Sequence, residues 1–227
     1  MSLAIDLRRL RFRYGGGPWV LDIPELTLER GERAFLFGPS GSGKTTLLGV
    51  LAGVLEANEG EVTVLGEDLT SLSSAQRDAF RAQHIGYVFQ MFNLIPYLSV
   101  LDNIALPARM DPARRARLDG AGVKETAALL ADHLQIGDLL KKPVTELSVG
   151  QQQRVAACRA LIGAPELIVA DEPTSSLDFD RREAFLELLF QECERAGATL
   201  VFVSHDRTLE GMFSRRISLP DVNKAVF

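Results

Sequence analysis

The sequence predicts an α/β fold with a mixed sheet core, an N-terminal antiparallel β subdomain and an inserted α-helical subdomain. Three observations predict it. The first third of the chain alternates apolar and polar residues, the middle has a helical pattern, and the last third returns to strand–helix–strand. Because its strands are continuously apolar, that last third indicates a parallel sheet covered on both faces. We assign residues 1–227 to one domain, with 1–90 and 163–227 as the core with its β subdomain and 91–162 as the helical subdomain.

The N-terminal third is expected to form the β subdomain and the first strand of the core. Residues 3–14, "LAIDLRRLRFRY", partly alternate, residues 15–18 break the pattern, and residues 19–30 resume it. The stretch "RAFLFG" after Gly31 predicts a short strand that leads into a glycine-rich loop and then an apolar helix from Thr45. "GEVTVLGEDL" predicts a hairpin around Gly66.

The middle and last thirds complete the predicted order of elements. Residues 73–162 are mainly helical in pattern, and residues 111–125, "DPARRARLDGAGVKE", predict an exposed turn whose arginines are solvated. "ELIVADEP" predicts a buried strand, "FDRREAFLELLFQECERAG" an amphipathic helix and "TLVFVSHD" a second buried strand. The two cysteines have no metal or redox spacing, and we expect Cys158 to be a small helix-packing residue.

Composition excludes several classes of function. The 25 Lys and Arg against 30 Asp and Glu argue against a nucleic-acid partner, because such binding depends mostly on neutralising phosphates. The apolar run of residues 47–55 is far shorter than the roughly 20 residues that span a bilayer. The N-terminus lacks the apolar core of a secretory signal, and two cysteines without metal or redox spacing suit a reducing compartment. These features predict a cytoplasmic protein.

A phosphate site is indicated by "GPSGSGKT", which fits G-x-x-x-x-G-K-[ST] between a predicted strand and a predicted helix. The glycines let the loop turn tightly and aim its N–H groups at phosphate oxygens, Lys44 can reach the β- and γ-phosphates, and the Thr45 hydroxyl suits Mg²⁺. A plain glycine-rich turn is the alternative. The fold is therefore expected to be a P-loop NTPase, with these predicted nucleotide-binding residues: Gly38, Pro39, Ser40, Gly41, Ser42, Gly43, Lys44, Thr45 and Thr46.

Two adjacent carboxylates follow the buried strand of "LIVADEP", at the usual ligand edge of a parallel sheet. Asp171 is predicted to hold Mg²⁺ through its water shell, and Glu172 to orient and deprotonate the attacking water. The alternative is that both carboxylates only cap the turn before Pro173.

A second anion site is indicated by "LSVGQQQR". Ser148 is a good N-cap, and the apolar spacing of Val155, Cys158 and Leu161 or Ile162 predicts a helix behind it. A helix start with a small hydroxyl residue and a glycine attracts anions.

Together these motifs resemble the nucleotide-binding subunit of an ATP-binding-cassette (ABC) transporter, over nearly the whole chain and in the family's order. The resemblance implies a RecA-like core, bound ATP and Mg²⁺, and ATP hydrolysis. It also implies that Tyr14 stacks on adenine, that Gln90 reports on Mg²⁺ and the attacking water, and that His205 contacts the γ-phosphate. Tyr14 could instead be a strand core residue and His205 a structural one. In the "SSLD" loop, Asp178 matches the residue that touches the opposing subunit.

In this family the signature helix of one copy points at the γ-phosphate bound by the other. The resemblance therefore implies a head-to-tail homodimer in the ATP-bound state, with Ser148, Val149, Gly150 and Gln151 acting across the interface. Val149 departs from the family's commonest version, LSGGQ. We expect it to be tolerated if its backbone is helical or extended and its side chain points away from the phosphate, leaving an active ATPase.

The segment "MFNLIPYLSVLDNIALP" resembles the LolD/MacB/FtsE subgroup. The LolD/MacB type serves lipoprotein release and macrolide export, and FtsE is a related protein of cell division. We expect residues near it to receive an integral-membrane permease, with Phe92, Leu94 and Tyr97 as anchors; internal packing is the alternative. That places the chain on the inner face of the cell membrane and favours export or extraction of a lipid, lipoprotein, peptide or drug. A soluble ABC-type ATPase is the runner-up, and a binding-only module that has lost hydrolysis is a third reading. The ending "RRISLPDVNKAVF" lacks the family's usual turn glycine and is expected to be a trimmed C-terminus.

Overall fold

The computed structural model describes residues 2–118, 120–175, 177 and 179–225. It divides into two compact units, the first formed by Met1–Arg81 with Thr199–Phe227 and the second by Ala82–Ala198. The subdomain boundaries that the sequence predicts, at 91 and 162, stay a prediction. Among the described helices, none has both the length and the apolar composition of a membrane span.

The described strands and helices follow the predicted order except within residues 73–162, where a strand at Ile85–Val88 interrupts the predicted helical pattern. The strands are β1 (Leu3–Phe12), β2 (Leu21–Glu29), β3 (Arg33–Phe37), β4 (Glu59–Val64), β5 (Glu67–Asp68), β6 (Ile85–Val88), β7 (Leu167–Asp171), β8 (Thr199–Val203) and β9 (Arg215–Ser218). The α-helices are α1 (Lys44–Leu51), α2 (Ser74–His84), α3 (Val100–Met110), α4 (Pro112–Ala116), α5 (Val123–His133), α6 (Val149–Leu161), α7 (Phe179–Ala196) and α8 (Leu219–Val222).

The first unit contains an antiparallel sheet and three parallel strands. β1 pairs with both β2 and β4, and β5 closes the predicted hairpin with β4. β3 pairs in parallel with β8 and with β9. The rings of Phe35, Phe202 and Phe213 pack against one another with centroids 5.1–6.3 Å apart. This aromatic core joins β3, β8 and the segment before β9, and two of the predicted site segments follow β3 and β8.

The second unit places two parallel strands beside helices. β6 and β7 are parallel, and every residue of β7 is buried, as its continuous apolar pattern predicts. The expected apolar face of α6 is confirmed, because Val155, Cys158 and Leu161 are all buried. Burial raises the pKa of the Cys158 thiol, so Cys158 is the inert packing residue that the sequence predicts.

The expectation that residues 111–125 form an exposed turn with solvated arginines is wrong for Arg114. This residue lies on the short helix α4 and is only 3% exposed. Its guanidinium donates hydrogen bonds to the carbonyl oxygens of Ala82 (2.5 Å), Ile162 (3.1 Å) and Ile85. Burial lowers the pKa of Arg114 to about 10, so it is still charged at neutral pH. Three carbonyls from distant parts of the chain meet at this point, and a fixed fork of N–H donors can serve them together.

Candidate functional site

The glycine-rich loop lies between the end of β3 and the start of α1, as predicted. Gly41 and Gly43 have φ angles of 81° and 93°, in the left-handed region that favours glycine. A Cβ atom on Gly43 would lie 3.0 Å from Leu21 Cδ2 and 3.1 Å from the Val20 carbonyl oxygen. Gly43 is also the N-cap of α1 and has no side chain to cover the first N–H groups of the helix. The loop therefore needs glycine for both its shape and its open helix start.

The polar side chains of this loop suit a phosphate ligand. Lys44 Nζ donates to the carbonyl oxygens of Gly38 (2.8 Å) and Pro39 (2.9 Å), which holds the ammonium group over the loop. The hydroxyl of Ser42 is buried and has no hydrogen-bond partner among the described residues. A helix N-terminus, an ammonium group and an unsatisfied hydroxyl are the donors that a polyphosphate accepts from. The residues present therefore fit the phosphates of a nucleotide.

Tyr14 lies just beyond the end of β1. It is 57% exposed, so the alternative of a strand core tyrosine is wrong. Its hydroxyl is 3.3 Å from Thr46 Oγ1, and its ring packs edge-on against Phe12 with centroids 4.9 Å apart. Tyr14 thus presents an aromatic surface beside the first turn of α1, the place that a base-stacking ring needs. Its stacking on adenine stays a prediction.

His205 follows β8, and β8 is the parallel neighbour of β3. Leu36 and Val203 are paired in the register of these strands, and the Ser204 N–H donates to the Leu36 carbonyl at 3.3 Å. The carboxyl ends of parallel strands meet at one edge of a sheet, so His205 and the glycine-rich loop leave the same edge of the first unit. The His205 side chain is exposed there.

The second unit has a corresponding edge, formed by β6 and β7. β7 ends at Asp171, and β6 leads into Gln90, with Val88 paired to Ala170 just before both. Asp171 is buried at the strand end and Gln90 is exposed. Burial, and then the negative charge of Asp171, raise the pKa of Tyr87 on β6. The structure thus brings Asp171 and Gln90 to one sheet edge, as the parallel pattern implies.

Glu172 has an unusual backbone conformation. Its φ is 44°, in the left-handed region that non-glycine residues rarely adopt. Arg9, Leu65 and Ala164 lie in the same region, and the Glu172 carbonyl accepts a hydrogen bond from the Ser175 N–H at 3.2 Å, so Glu172 begins the turn after β7. Its role as the base for the attacking water stays a prediction.

The predicted anion site at Ser148 is a complete helix start. Ser148 is the N-cap of α6, its hydroxyl oxygen accepts from the Gln151 N–H at 3.3 Å, and its own N–H donates to Gln151 Oε1 at 2.9 Å. This reciprocal pair is a capping box. Val149 is the first residue of α6, so its backbone is helical, which is the condition under which a valine is expected to be tolerated here. Its side chain is 47% exposed. The first turn contains Val, Gly, Gln and Gln, which leaves the positive end of the helix dipole uncompensated.

A cavity of about 200 Å³ adjoins this helix start. Its lining includes Gln153, whose amide is fully buried and makes no hydrogen bond to any described residue. Arg154 and Arg181 also line the cavity, together with the apolar side chains of Leu177 and Phe185. None of the sequence motifs points to Gln153. The available signal was a glutamine one turn before Ala157, on a helix face that is otherwise apolar.

The apolar segment after Gln90 is only partly as expected. Phe92 is wrong as a docking anchor, because it is 7% exposed and packs inside the second unit. Phe92 and Asn93 have φ angles of 58° and 48°, and their carbonyls accept hydrogen bonds from Arg159 at 2.5 and 2.7 Å. This turn directs the Phe92 ring inward and leaves Tyr97 outward, at 84% exposure. Asp178 lies outside the described residues.

A family model described as ABC transporter matches residues 21–175, more than half of the chain. The chain belongs to the ABC transporter family. It is 38% identical over 218 residues to the uncharacterized ABC transporter ATP-binding protein YbbA of Escherichia coli, covering 95% of this chain and 93% of that protein. It is 36% identical over 220 residues to the lipoprotein-releasing system ATP-binding protein LolD 2 of Rhodospirillum rubrum, covering 96% and 94%. The dimeric ATP-binding cassette MJ0796, solved in a post-hydrolysis state bound to ADP and Pi, has a TM-score of 0.82 at 32% identity, covering 94% and 93%.

These comparisons confirm the main predictions. The chain is the ATP-binding subunit of an ABC transporter, it binds ATP, and its reaction is ATP hydrolysis. The P-loop NTPase fold is confirmed, as is the likeness to the LolD type.

Proposed function

We propose that this ABC subunit hydrolyses ATP at the interface of a head-to-tail homodimer and so drives a separate membrane permease. The observation that carries the proposal is the open start of α6, where Ser148 and the first turn present hydrogen-bond donors to the surrounding solvent. A partner copy can place its bound phosphate there. The dimeric cassette among the similar structures supports this arrangement.

ATP binding is assigned to the loop in the first unit. The N–H groups at the start of α1, the buried Ser42 hydroxyl and Lys44 bind the phosphates, and Tyr14 stacks on the base. The hydroxyl of Thr45, the carboxylate of Asp171 and the amide oxygen of Gln90 are the hard oxygen donors that Mg²⁺ prefers. When bound by these residues, Mg²⁺ would neutralise charge on the phosphates.

Hydrolysis is assigned to three polar side chains that follow strands. Glu172, directly after the end of β7, orients the attacking water and removes its proton. His205 donates a hydrogen bond to the γ-phosphate, and Gln90 contacts the same water.

The partner subunit completes the site through its signature helix. The Ser148 hydroxyl uses its oxygen to cap α6, which leaves its O–H to donate to a phosphate oxygen of the partner's ATP. The Gly150 N–H and the helix dipole add further stabilisation, and Gln151 holds Ser148 in place through the capping box. Val149 is compatible with this role because its side chain is exposed at the first helical position.

The permease is proposed to dock near the exposed part of the segment after Gln90. Met91 and Tyr97 are 81% and 84% exposed and can act as apolar anchors, in place of Phe92. The LolD relative belongs to a lipoprotein-releasing system, which supports export or extraction of a lipid, lipoprotein, peptide or drug. A permease partner would hold the subunit at the cytoplasmic face of the membrane.

The test is the Glu172→Gln variant. Without its base, turnover should fall by about 10²–10⁴, and ATP should trap a dimer that light scattering detects. The matched control is Lys44→Ala combined with Glu172→Gln, which should stay monomeric with ATP because the phosphates are not held. If Glu172→Gln retains near-normal phosphate release, another residue handles the water. If it never dimerises with ATP, the shared-site proposal is wrong.

A further inference from the structure

The segment that follows β9 packs against the phosphate loop in the first unit. A Cβ atom on Gly38 would lie 3.1 Å from Pro220 Cδ and 3.6 Å from Leu219 Cβ, so the start of α8 touches the beginning of the loop. The residue after α8 is Asn223, which is only 5% exposed.

Asn223 makes four hydrogen bonds with its side-chain amide. Its oxygen accepts from the N–H groups of Asp22 (2.7 Å) and Ala225 (3.2 Å). Its nitrogen donates to the carbonyl oxygens of Val20 (2.9 Å) and Ser42 (3.3 Å). Both partners of the oxygen are donors and both partners of the nitrogen are acceptors, so the amide has one orientation and is fully satisfied.

Two of these bonds connect the phosphate loop to the start of β2. Val20 and Ser42 are bridged by one NH₂ group, at the place where the Gly43 backbone already lies close to Val20. The Lys224 N–H donates to the Asp22 carbonyl at 2.7 Å and holds the segment alongside β2. Asn223 thus joins the start of β2, the phosphate loop and its own C-terminal segment.

The bond to Ser42 constrains the peptide that joins Ser42 to Gly43. A trans peptide is planar, and its C=O and N–H point in opposite directions. Because the Ser42 carbonyl points towards Asn223, the Gly43 N–H points away from the C-terminal segment. Rotation of this peptide would break the bond to Asn223 and leave a buried carbonyl unpaired, at a cost comparable to a lost hydrogen bond.

We propose that Asn223 is a positioning residue for ATP, which holds the Ser42–Gly43 peptide so that the Gly43 N–H faces the phosphates. The inference rests on the proposed function, because it takes the loop of residues 38–45 as the phosphate site. Asn223 touches no substrate and acts through the backbone of the loop. Its loss should therefore weaken ATP binding more than it slows hydrolysis of ATP that is already bound.

The experiment compares Asn223→Asp and Asn223→Leu with the natural chain. Asp has nearly the same shape and keeps the acceptor for Asp22, but an ionised carboxylate cannot donate to Val20 or Ser42. We expect the KM for ATP to rise about tenfold or more in both variants, the scale of one charge-assisted hydrogen bond. The kcat should stay within about threefold, with all rates measured well below each variant's melting temperature. A Phe213→Leu variant, which thins the aromatic core of the same unit, should lower the melting temperature with an unchanged KM.

The pH dependence separates positioning from packing. When the carboxylate introduced by Asn223→Asp takes up a proton, it regains one O–H donor, so the KM ratio of this variant to the natural chain should fall as pH is lowered. The ratio for Asn223→Leu should stay constant. A variant of the exposed neighbour, Lys224→Ala, should match the natural chain throughout.

The possible outcomes are distinct. If Asn223→Asp has a normal KM, or if its KM changes only as its melting temperature does, as in Phe213→Leu, the positioning role is wrong. If Lys44→Ala binds ATP as well as the natural chain, the phosphate site itself is wrongly assigned, whatever Asn223 does. If Lys44→Ala loses ATP and Asn223→Asp shows the pH-dependent KM, both assignments hold.

Discussion

Replacing Ser148 by Asp separates the two roles that the structure gives this residue. The first role is structural: the capping box with Gln151 joins the two residues by bonds of 3.3 and 2.9 Å. Asp is about as good an N-cap as Ser, so Ser148→Asp should change the free energy of unfolding by less than about 0.5 kcal/mol. Ser148→Ala removes the cap and should cost about 1 kcal/mol.

The second role is the contact with the partner's phosphate. For this contact Ser148→Asp should be the more damaging of the two variants. A carboxylate in place of the hydroxyl faces a negatively charged phosphate. Two like charges about 4 Å apart repel by about 4 kcal/mol at an effective dielectric constant of 20. That energy corresponds to about a thousandfold weaker ATP-dependent pairing. Ser148→Ala loses only one hydrogen bond to a charged group, about 1.5–3 kcal/mol, or roughly ten- to a hundredfold.

The assays are urea unfolding followed by circular dichroism, and ATP-dependent dimerisation measured by light scattering in the Glu172→Gln background. Steady-state phosphate release with Glu172 intact gives the catalytic effect. The expected ranking is Ser148→Asp more stable but less active than Ser148→Ala. If Ser148→Asp dimerises and hydrolyses ATP normally, the hydroxyl does not face a phosphate. If it unfolds more easily than Ser148→Ala, the capping argument is wrong.

Three further predictions concern the second unit. Arg114→Met leaves three carbonyls without their donor and should lower the free energy of unfolding in urea by about 3 kcal/mol. Arg114→Lys should be nearly as unstable, because one ammonium group cannot serve all three carbonyls. A loss below about 1 kcal/mol in Arg114→Met would show that the carbonyls find other partners. Tyr97→Glu should leave the ATPase rate and stability of the purified subunit unchanged, because Tyr97 is 84% exposed, but should abolish transport in cells; normal transport would exclude Tyr97 from the permease contact. Val149→Gly should cost about 0.5–1 kcal/mol in helix stability and leave phosphate release within about twofold; a larger change in rate would mean that the Val149 side chain contacts the partner.

Local patterns were sufficient for the features that depend on neighbours in sequence. The glycines of the phosphate loop, the capping residues around Ser148 and the apolar runs of β3, β7 and β8 all form the structure that their spacing predicts. In each case the reason lies within a few residues, in backbone angles, hydrogen bonds over one helical turn, or strand burial. The position of Asp171 at a strand end also followed from its pattern, whereas Gln90 lies beside it because β6 pairs in parallel with β7.

The predictions for Arg114 and Phe92 were wrong, because the location of each side chain depends on distant parts of the chain. Nothing near Arg114 in sequence indicates that carbonyls at 82, 85 and 162 converge on it. The inward turn of Phe92 depends on Arg159, more than sixty residues away, which binds the carbonyls of Phe92 and Asn93.

The amino-acid sequence by itself determined most of the order of strands and helices, the family and the chemistry of each motif, since these follow from periodicity and from residue types at short spacing. Only the tertiary structure decided which side chains support those motifs: Arg114 beneath the helices, Gln153 in the cavity by α6, and Asn223 behind the phosphate loop. Arg114 and Asn223 form hydrogen bonds with buried backbone groups from distant segments, whereas the buried amide of Gln153 has no partner among the described residues. Such pairing exists only after distant segments have packed, because burial makes an unpaired polar group costly and so selects its partner.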